Sequence, residues 1–401
     1  MKILQLCNKV PYPAKDGGAI AILSLSKGFA RLGHQVTMLA MNTQKHYYDL
    51  NLLPTEIKSI VNIIGVDIDT KITYQDALIN LLFSKLPYVA QRFISKEYEE
   101  NLIRILNAEK FDIVQLEGLY MGLYIPIIRK HSRAKIVLRA HNIEHEIWKR
   151  TAAQEENKFK RKYLTILANR IKRMKLKMLN SYDMLVPITA RDAEIFKILG
   201  NQKPMHVSPT GIDLTQLISN RDNIEYPSLF HIGALDWAPN QEGLIWFFDN
   251  VWPPIKEKFP EIKFYLAGRN APDWFVKRIP SNIIYLGEIK NAYEFMNSKA
   301  IMLVPLLSGS GMRIKIIEGM ALGKTIVSTS VGTEGIASTK NHNILIADKT
   351  EDFIKSIEKA ISKHEFFEKI GKNAVTFVNE NFNNNTITKS LLDFYFNFID
   401  K

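Results

Sequence analysis

The chain has 401 residues, 46% of them apolar and 23% charged, with a net charge of +12. At roughly 100–200 residues per domain, two domains with sizeable cores are expected, and this composition excludes collagen-like, disordered and coiled-coil classes. The charge is uneven: residues 1–200 carry 31 Lys and Arg against 19 Asp and Glu, whereas residues 201–401 carry 22 of each. One half is therefore expected to face something anionic, such as nucleic acid, an acidic membrane surface or a phosphorylated ligand.

The first predicted strand is KILQLC, Lys2 to Cys7, followed by the loop NKVPYPAKDGGA. Cys7 is the only cysteine, which excludes an intramolecular disulfide framework and a multi-cysteine zinc site and suits a reducing compartment. Ile22, Leu25, Phe29 and Leu32 stand at helical spacing over Ile20–Leu32, and Gly33 ends the stretch. With the strand VTMLAM next, the order is a βαβ unit of a parallel sheet. VNIIGV, DIVQLE, KIVLRAH and MLVPIT continue the series. A connector rich in turn residues (Pro204, Pro209, Gly211) follows, and the rhythm restarts. SLFHIGAL, KFYLAG, IIYLGEI, AIMLVPL, TIVSTS and NILIAD read as strands, and QEGLIWFFDNVWPPIKEKF as a helix. Thr386–Ile399 reads as a terminal helix. No apolar run reaches ~18 residues, so no membrane span is expected. Met1-Lys2 leads into ILQL with charge back by Lys9, so no secretory signal is expected either, and a cytoplasmic protein is the reading.

Two loops can hold an anion. Asp16-Gly17-Gly18-Ala19 lies between the first strand and first helix, where helix amides favour negative charge, although it is not G-x-G-x-x-G. Gly309-Ser310-Gly311 follows a strand that ends at Leu307 and precedes a helix expected over Arg313–Leu322. Arg313 and Lys315 then fall in a first turn, where cations oppose the helix dipole. An anionic ligand accounts for them; so does an ion pair of Arg313 with Glu318 on a solvated face. His141, just past KIVLRA, faces a strand end. The nearby Glu144, His145 and Glu146 lack the H-E-x-x-H order of a metal site. Asp67-Ile68-Asp69 is read as turn and cap chemistry rather than as a cation site. Lys158–Lys177 holds nine Lys and Arg, with Leu164, Leu167, Ile171, Met174 and Met178 as an apolar stripe. Such a helix suits an acidic membrane surface, or packs its stripe on the domain.

PYPAKDGGA, RLGHQVTML, RAHNIEHEIWKR, VSPTGIDL, FHIGALDWAPNQEGLIWFFDNVWPPI and above all EGMALGKTIVSTSVGTEGI resemble family-4 retaining glycosyltransferases of the GT-B fold. The resemblance implies an α/β architecture of two Rossmann-like domains with parallel sheets facing across a cleft. Boundaries are expected at 1–203 for an acceptor domain and 204–385 for a nucleotide-sugar domain. A helix over 386–401 is open to packing back on the first domain. The resemblance further implies transfer of a sugar from a nucleotide-sugar to a saccharide or lipid-linked acceptor in cell-surface glycan synthesis, with no cofactor and no metal. Glu318 matches the second glutamate of an E-x7-E motif that holds the ribose, and Ser310 stands where the first would be. Gly233 is followed by Ala234 and Asn240, where the family carries G-R and K-G, so Arg313 and Lys315 are the candidates to replace that clamp. With Gly309, Gly311 and Met312 they are expected at the diphosphate. Gly17 and Gly18 match the loop that approaches diphosphate and sugar. His141 matches a histidine that lines the sugar site, and Arg269 is a further nucleotide contact. The partners expected are the donor, the acceptor and an anionic inner membrane face, not nucleic acid. Another GT-B enzyme, such as a sugar-nucleotide epimerase or phosphorylase, and a nucleic-acid-binding protein are the alternatives.

Overall fold

The computed structural model describes residues 1–220, 223–309 and 311–399. The chain divides into two compact units, Met1–Gly211 with Asn384–Lys401, and Ile212–Asn383.

The first unit holds a six-stranded sheet: β1 (Lys2–Cys7), β2 (Gln35–Thr43), β3 (Asn62–Ile68), β4 (Ile113–Glu117), β5 (Lys135–Ala140) and β6 (Met184–Pro187), in the order β3-β2-β1-β4-β5-β6. The second holds β7 (Glu225–Ala234), β8 (Lys263–Arg269), β9 (Ile284–Gly287), β10 (Lys299–Val304), β11 (Thr325–Ser328) and β12 (Leu345–Ile346), in the order β12-β11-β10-β7-β8-β9. Every pairing is parallel. Strand order reverses between β1 and β4, and again between β7 and β10. Connections leave opposite faces there, so the carboxyl ends of those strands open a crevice.

Each sheet has two apolar faces. In the first, Leu4, Leu6, Leu39, Leu116 and Leu138 fill one side. Ile3, Met38, Ile113 and Val137 fill the other, under the first helix, Gly17–Arg31, and the terminal helix, Asn384–Ile399. The terminal helix brings Leu391, Leu392 and Tyr395 to that core, and Asn384 donates to the Ser24 carbonyl at 2.8 Å. A Cβ at Gly28 would stand 2.2 Å from Thr388 Oγ1, so glycine sets how closely the two helices cross.

Three sequence expectations need correction. The long helix after β7 is two helices, Ala238–Asn250 and Trp252–Lys258, because Pro253 and Pro254 belong to a first turn and not to a helix interior. The helix after β10 is Ile314–Ala321, with Arg313 as its cap in extended geometry. Asp67 lies within β3 and accepts from Asn42 at 2.9 Å. Asp69 makes a turn with the Lys71 amide, and Thr73 caps the next helix.

Gly243 fixes the approach of helix Ala238–Asn250 to the end of β10. A Cβ there would lie 2.0 Å from the Pro305 carbonyl oxygen, a backbone atom that cannot rotate away. We expect Gly243→Ala to destabilise the protein by about 1–3 kcal/mol through overpacking, measured by urea unfolding. An unchanged midpoint would show that the strand end yields freely.

Candidate active site

In the second unit, site residues gather where β7 and β10 end. Lys315 is half-buried as a residue, with its ammonium end enclosed. Its Nζ lies 3.1 Å from Asn240 Oδ1, 3.3 Å from the Ile232 carbonyl and 3.5 Å from His231 Nε2. These partners are neutral. His231 is fully buried with Nδ1 at 2.8 Å from the Leu303 carbonyl; burial, then Lys315, holds it well below the usual histidine range. Its Nδ1–H therefore donates and Nε2 faces the ammonium as an acceptor. Burial, then the neighbouring Arg313, pushes Lys315 down to about 7. A Cβ at Gly233 would stand 3.1 Å from Lys315 Nζ, so this glycine makes the room the ammonium occupies.

Arg313 is buried, donates from Nη1 to the Gly311 carbonyl, and lays its guanidinium 5.1 Å from the Trp237 ring centroid. Gly309 and Gly311 have φ of +108° and +83°, a region that strains other residues. At Gly309 a Cβ would also stand 2.7 Å from Arg313 Nη2. Ser310 lies outside the described residues, and Met312 is half-buried between Gly311 and the Arg313 cap. Glu318 accepts from the Tyr293 hydroxyl at 2.8 Å, an interaction distinct from the expected ion pair with Arg313. Burial outweighs that hydrogen bond and raises Glu318 to about 7. At three residues' spacing, Lys315 and Glu318 share a helix face. Arg269 ends β8 in register with Ala234, and its carbonyl accepts from the Leu235 amide at 2.9 Å.

In the first unit, register aligns Cys7, Glu117 and Arg139 across β1, β4 and β5, with Gln5 beside Gln115 two residues earlier. The four polar members of these rows are buried. Glu117 accepts from Gln5 at 3.0 Å and from Gln115, and its Oε2 lies 3.5 Å from Arg139 Nη1 and 2.7 Å from His141 Nε2. Helices complete the network: Ser26 donates to Gln5, Arg139 to the Ala21 carbonyl, and Tyr395 to Gln115 at 2.6 Å. Burial alone would raise the Glu117 carboxyl; Arg139, His141 and Gln115 together hold it below its usual range. Nε2 of His141 is thereby committed to Glu117, and Nδ1 is the ring nitrogen left for a ligand.

Gly17 and Gly18 are the first turn of the first helix rather than a loop before it. Asp16 caps that turn through the Ala19 amide at 2.9 Å, and Lys9 Nζ grips its carboxylate at 2.5 and 2.7 Å. Glu144 is not a partner of His141: it pairs with buried Lys175 at 2.8 Å. Among the described residues, no three His, Cys, Asp or Glu side chains are grouped to hold a metal. Sequence reasoning missed Glu117, His231, Tyr293 and Trp237. Glu117 alone carried a signal, an acid at the end of a mostly apolar strand.

Glu117→Gln removes the charge facing Arg139 in a fully buried pair. A loss of about 3–5 kcal/mol in urea unfolding is expected, since an uncompensated buried cation remains. Near-wild-type stability would show that the other partners suffice.

A profile described as Glycosyltransferase Family 4 matches residues 15–216, and one described as Glycosyl transferases group 1 matches residues 226–363. An uncharacterized 44.6 kDa protein in the cps region of Klebsiella pneumoniae is 24% identical over 97% of this chain and 98% of its own. Among solved structures, Anabaena HepE in complex with UDP is similar at TM-score 0.69 and 12% identity, covering 98% of this chain and 99% of that one. Sucrose-phosphate synthase from Thermosynechococcus elongatus gives TM-score 0.70 at 14% identity, and TarM 0.70 at 10%, each covering 98% of both chains. The two sheets and their helices are those of the GT-B fold, and the chain is a glycosyltransferase that belongs to glycosyltransferase family 4.

Proposed function

We propose that the protein is a retaining glycosyltransferase that moves a sugar from a nucleotide-sugar to a saccharide or lipid-linked acceptor in cell-surface polysaccharide synthesis. One observation carries the reading: the Lys315 ammonium rests on three neutral acceptors beside a second cation, Arg313, at a helix N-terminus. A desolvated cation with neutral partners is costly, and an anion lowers that cost. A diphosphate seated there meets Arg313, Lys315 and the amides of Gly311 and Met312. Glu318 then holds the ribose, and Arg269 is a further nucleotide contact. HepE forms complexes with UDP and with UDP-glucose, and the Klebsiella relative lies in a cps region; both support this donor class and pathway.

In the reaction, the bond from the anomeric carbon to the phosphate oxygen breaks while the acceptor oxygen attacks the same face. The acceptor proton passes to the leaving phosphate. Charge grows on the phosphates, where Arg313 and Lys315 stabilise it without a metal ion. His141, oriented by Glu117, offers its Nδ1 to a sugar hydroxyl. The excess of cations in residues 1–200 supports work at the anionic inner face of the cell membrane, with the protein otherwise cytoplasmic.

Thermal-shift screening against UDP-, GDP-, ADP- and TDP-sugars identifies the donor, which should raise the melting temperature. With that donor, Lys315→Gln should lower kcat by about 100-fold or more and leave the ligand-free melting temperature unchanged or higher. Full activity in this variant would overturn the diphosphate assignment. Glu318→Ala should weaken donor binding by about 1–3 kcal/mol in calorimetry; equal affinity would remove Glu318 from the ribose.

A further inference from the structure

The helix Tyr74–Phe83 in the first unit turns its apolar residues outward. Tyr74 is 95% exposed and Phe83 83%, and Leu78, Ile79 and Leu82 are each more than half exposed. Tyr74, Leu78 and Leu82 follow one another at four-residue spacing, and Ile79 and Phe83 form the adjoining row, so they make one continuous stripe. Ile72, just before the helix, is 70% exposed. The opposite side is anchored: Arg170 of the basic helix Lys158–Met178 donates to the Asn80 carbonyl at 3.1 Å, the Asn80 side-chain oxygen at 3.2 Å and the Leu81 carbonyl at 2.7 Å. The stripe is thus held outward by its neighbour.

The frame around it is basic. Tyr74 is in electrostatic reach of Lys160. Lys71 and Lys85 flank the helix in sequence, and Lys158, Arg161 and Lys162 are exposed around Lys160, with Phe159 among them 88% exposed. Asp69, Asp76, Glu155 and Glu156 are the acids nearby in sequence, and Glu155 is already paired with Lys160 at 2.5 Å. Not every cation of the basic helix joins this frame: Lys175 turns inward to Glu144, and Arg170 is spent on the Asn80 turn.

We propose that this stripe inserts into the surface of an anionic bilayer, with the surrounding lysines and Arg161 seated at the lipid headgroups. Charge selects the occupant. A second copy of the chain would bring a matching cluster of cations against this one, whereas anionic lipid neutralises it. Large exposed apolar side chains over lysines that can snorkel fit the headgroup–acyl boundary. The helix has ten residues, and no described helix is long and apolar enough to cross a membrane, so the mode is insertion into one leaflet. The proposal deepens the membrane reading above but does not depend on the transfer reaction.

Co-sedimentation of the full chain with vesicles of phosphatidylglycerol and phosphatidylcholine, or of phosphatidylcholine alone, tests it. Wild-type protein should sediment with the anionic vesicles and poorly with neutral ones. Leu82→Glu with Phe83→Glu should lower the partition coefficient at least about tenfold, because two large apolar contacts are lost. Changing Lys158, Lys160, Arg161 and Lys162 to Gln should also weaken binding and flatten its salt dependence. Both variants alter exposed side chains and should keep the wild-type melting temperature and donor-induced thermal shift, so a failed membrane proposal is distinguishable from a failed donor assignment. Equal sedimentation of the Leu82 and Phe83 variant would overturn the proposal. So would a wild-type dimer in sedimentation equilibrium that this variant dissociates while vesicles bind neither form.

Discussion

A cation held on neutral partners is the interaction on which the second unit is arranged. Lys315 does not repair local stability: its ammonium lies at a helix N-terminus, beside Arg313, on Asn240, Ile232 and His231. Each surrounding feature accommodates it. Gly233 leaves space for the ammonium, His231 is kept neutral with a lone pair toward it, and Gly309 and Gly311 turn the chain so that Arg313 reaches Trp237. On the proposed reading, a bound diphosphate would relieve this desolvation.

The first unit treats buried charge in the opposite way. Glu117 is compensated on every side, by Arg139, His141, Gln5 and Gln115, and the network extends to Tyr395 of the terminal helix. Such a saturated network rigidifies what it touches. The consequence is a His141 ring with its orientation set. Residues from β1, β4, β5, the first helix and the chain's last helix meet in one polar cluster, which explains why the final segment is part of this unit.

Much of the fold was legible because its signals are local. Twelve apolar runs and the glycines between them mark the strands, and alternating helical periodicity implies parallel sheets. That Arg313, Lys315 and Glu318 stand together was legible, because a glycine loop followed by a helix start keeps them close in sequence. Glu117 with His141 was not, since their contact depends on the register of β4 and β5. Tyr293 on Glu318 depends likewise on tertiary packing. The outward stripe of Tyr74–Phe83 was also hidden: an apolar helix reads as core until burial is known. The basic helix shows the reverse. Its cation run looked uniform, yet Lys175 is buried against Glu144 and above the Phe196 ring.

The central claim is that the Lys315 ammonium is held for a diphosphate. It has a direct thermodynamic signature. With Lys315 near 7 in the free protein, the amine is mostly neutral at pH 8. A bound diphosphate favours the charged form, so binding must draw a proton from buffer, close to one per site. Arg313 is always charged and contributes nothing, and Glu318, also near 7, is already largely ionised at pH 8. Calorimetry of the nucleotide-sugar at pH 8 in two buffers of different ionisation enthalpy measures this uptake. The account predicts uptake near one proton in the wild type and little in Lys315→Met. No uptake, or the same uptake in both proteins, would contradict it.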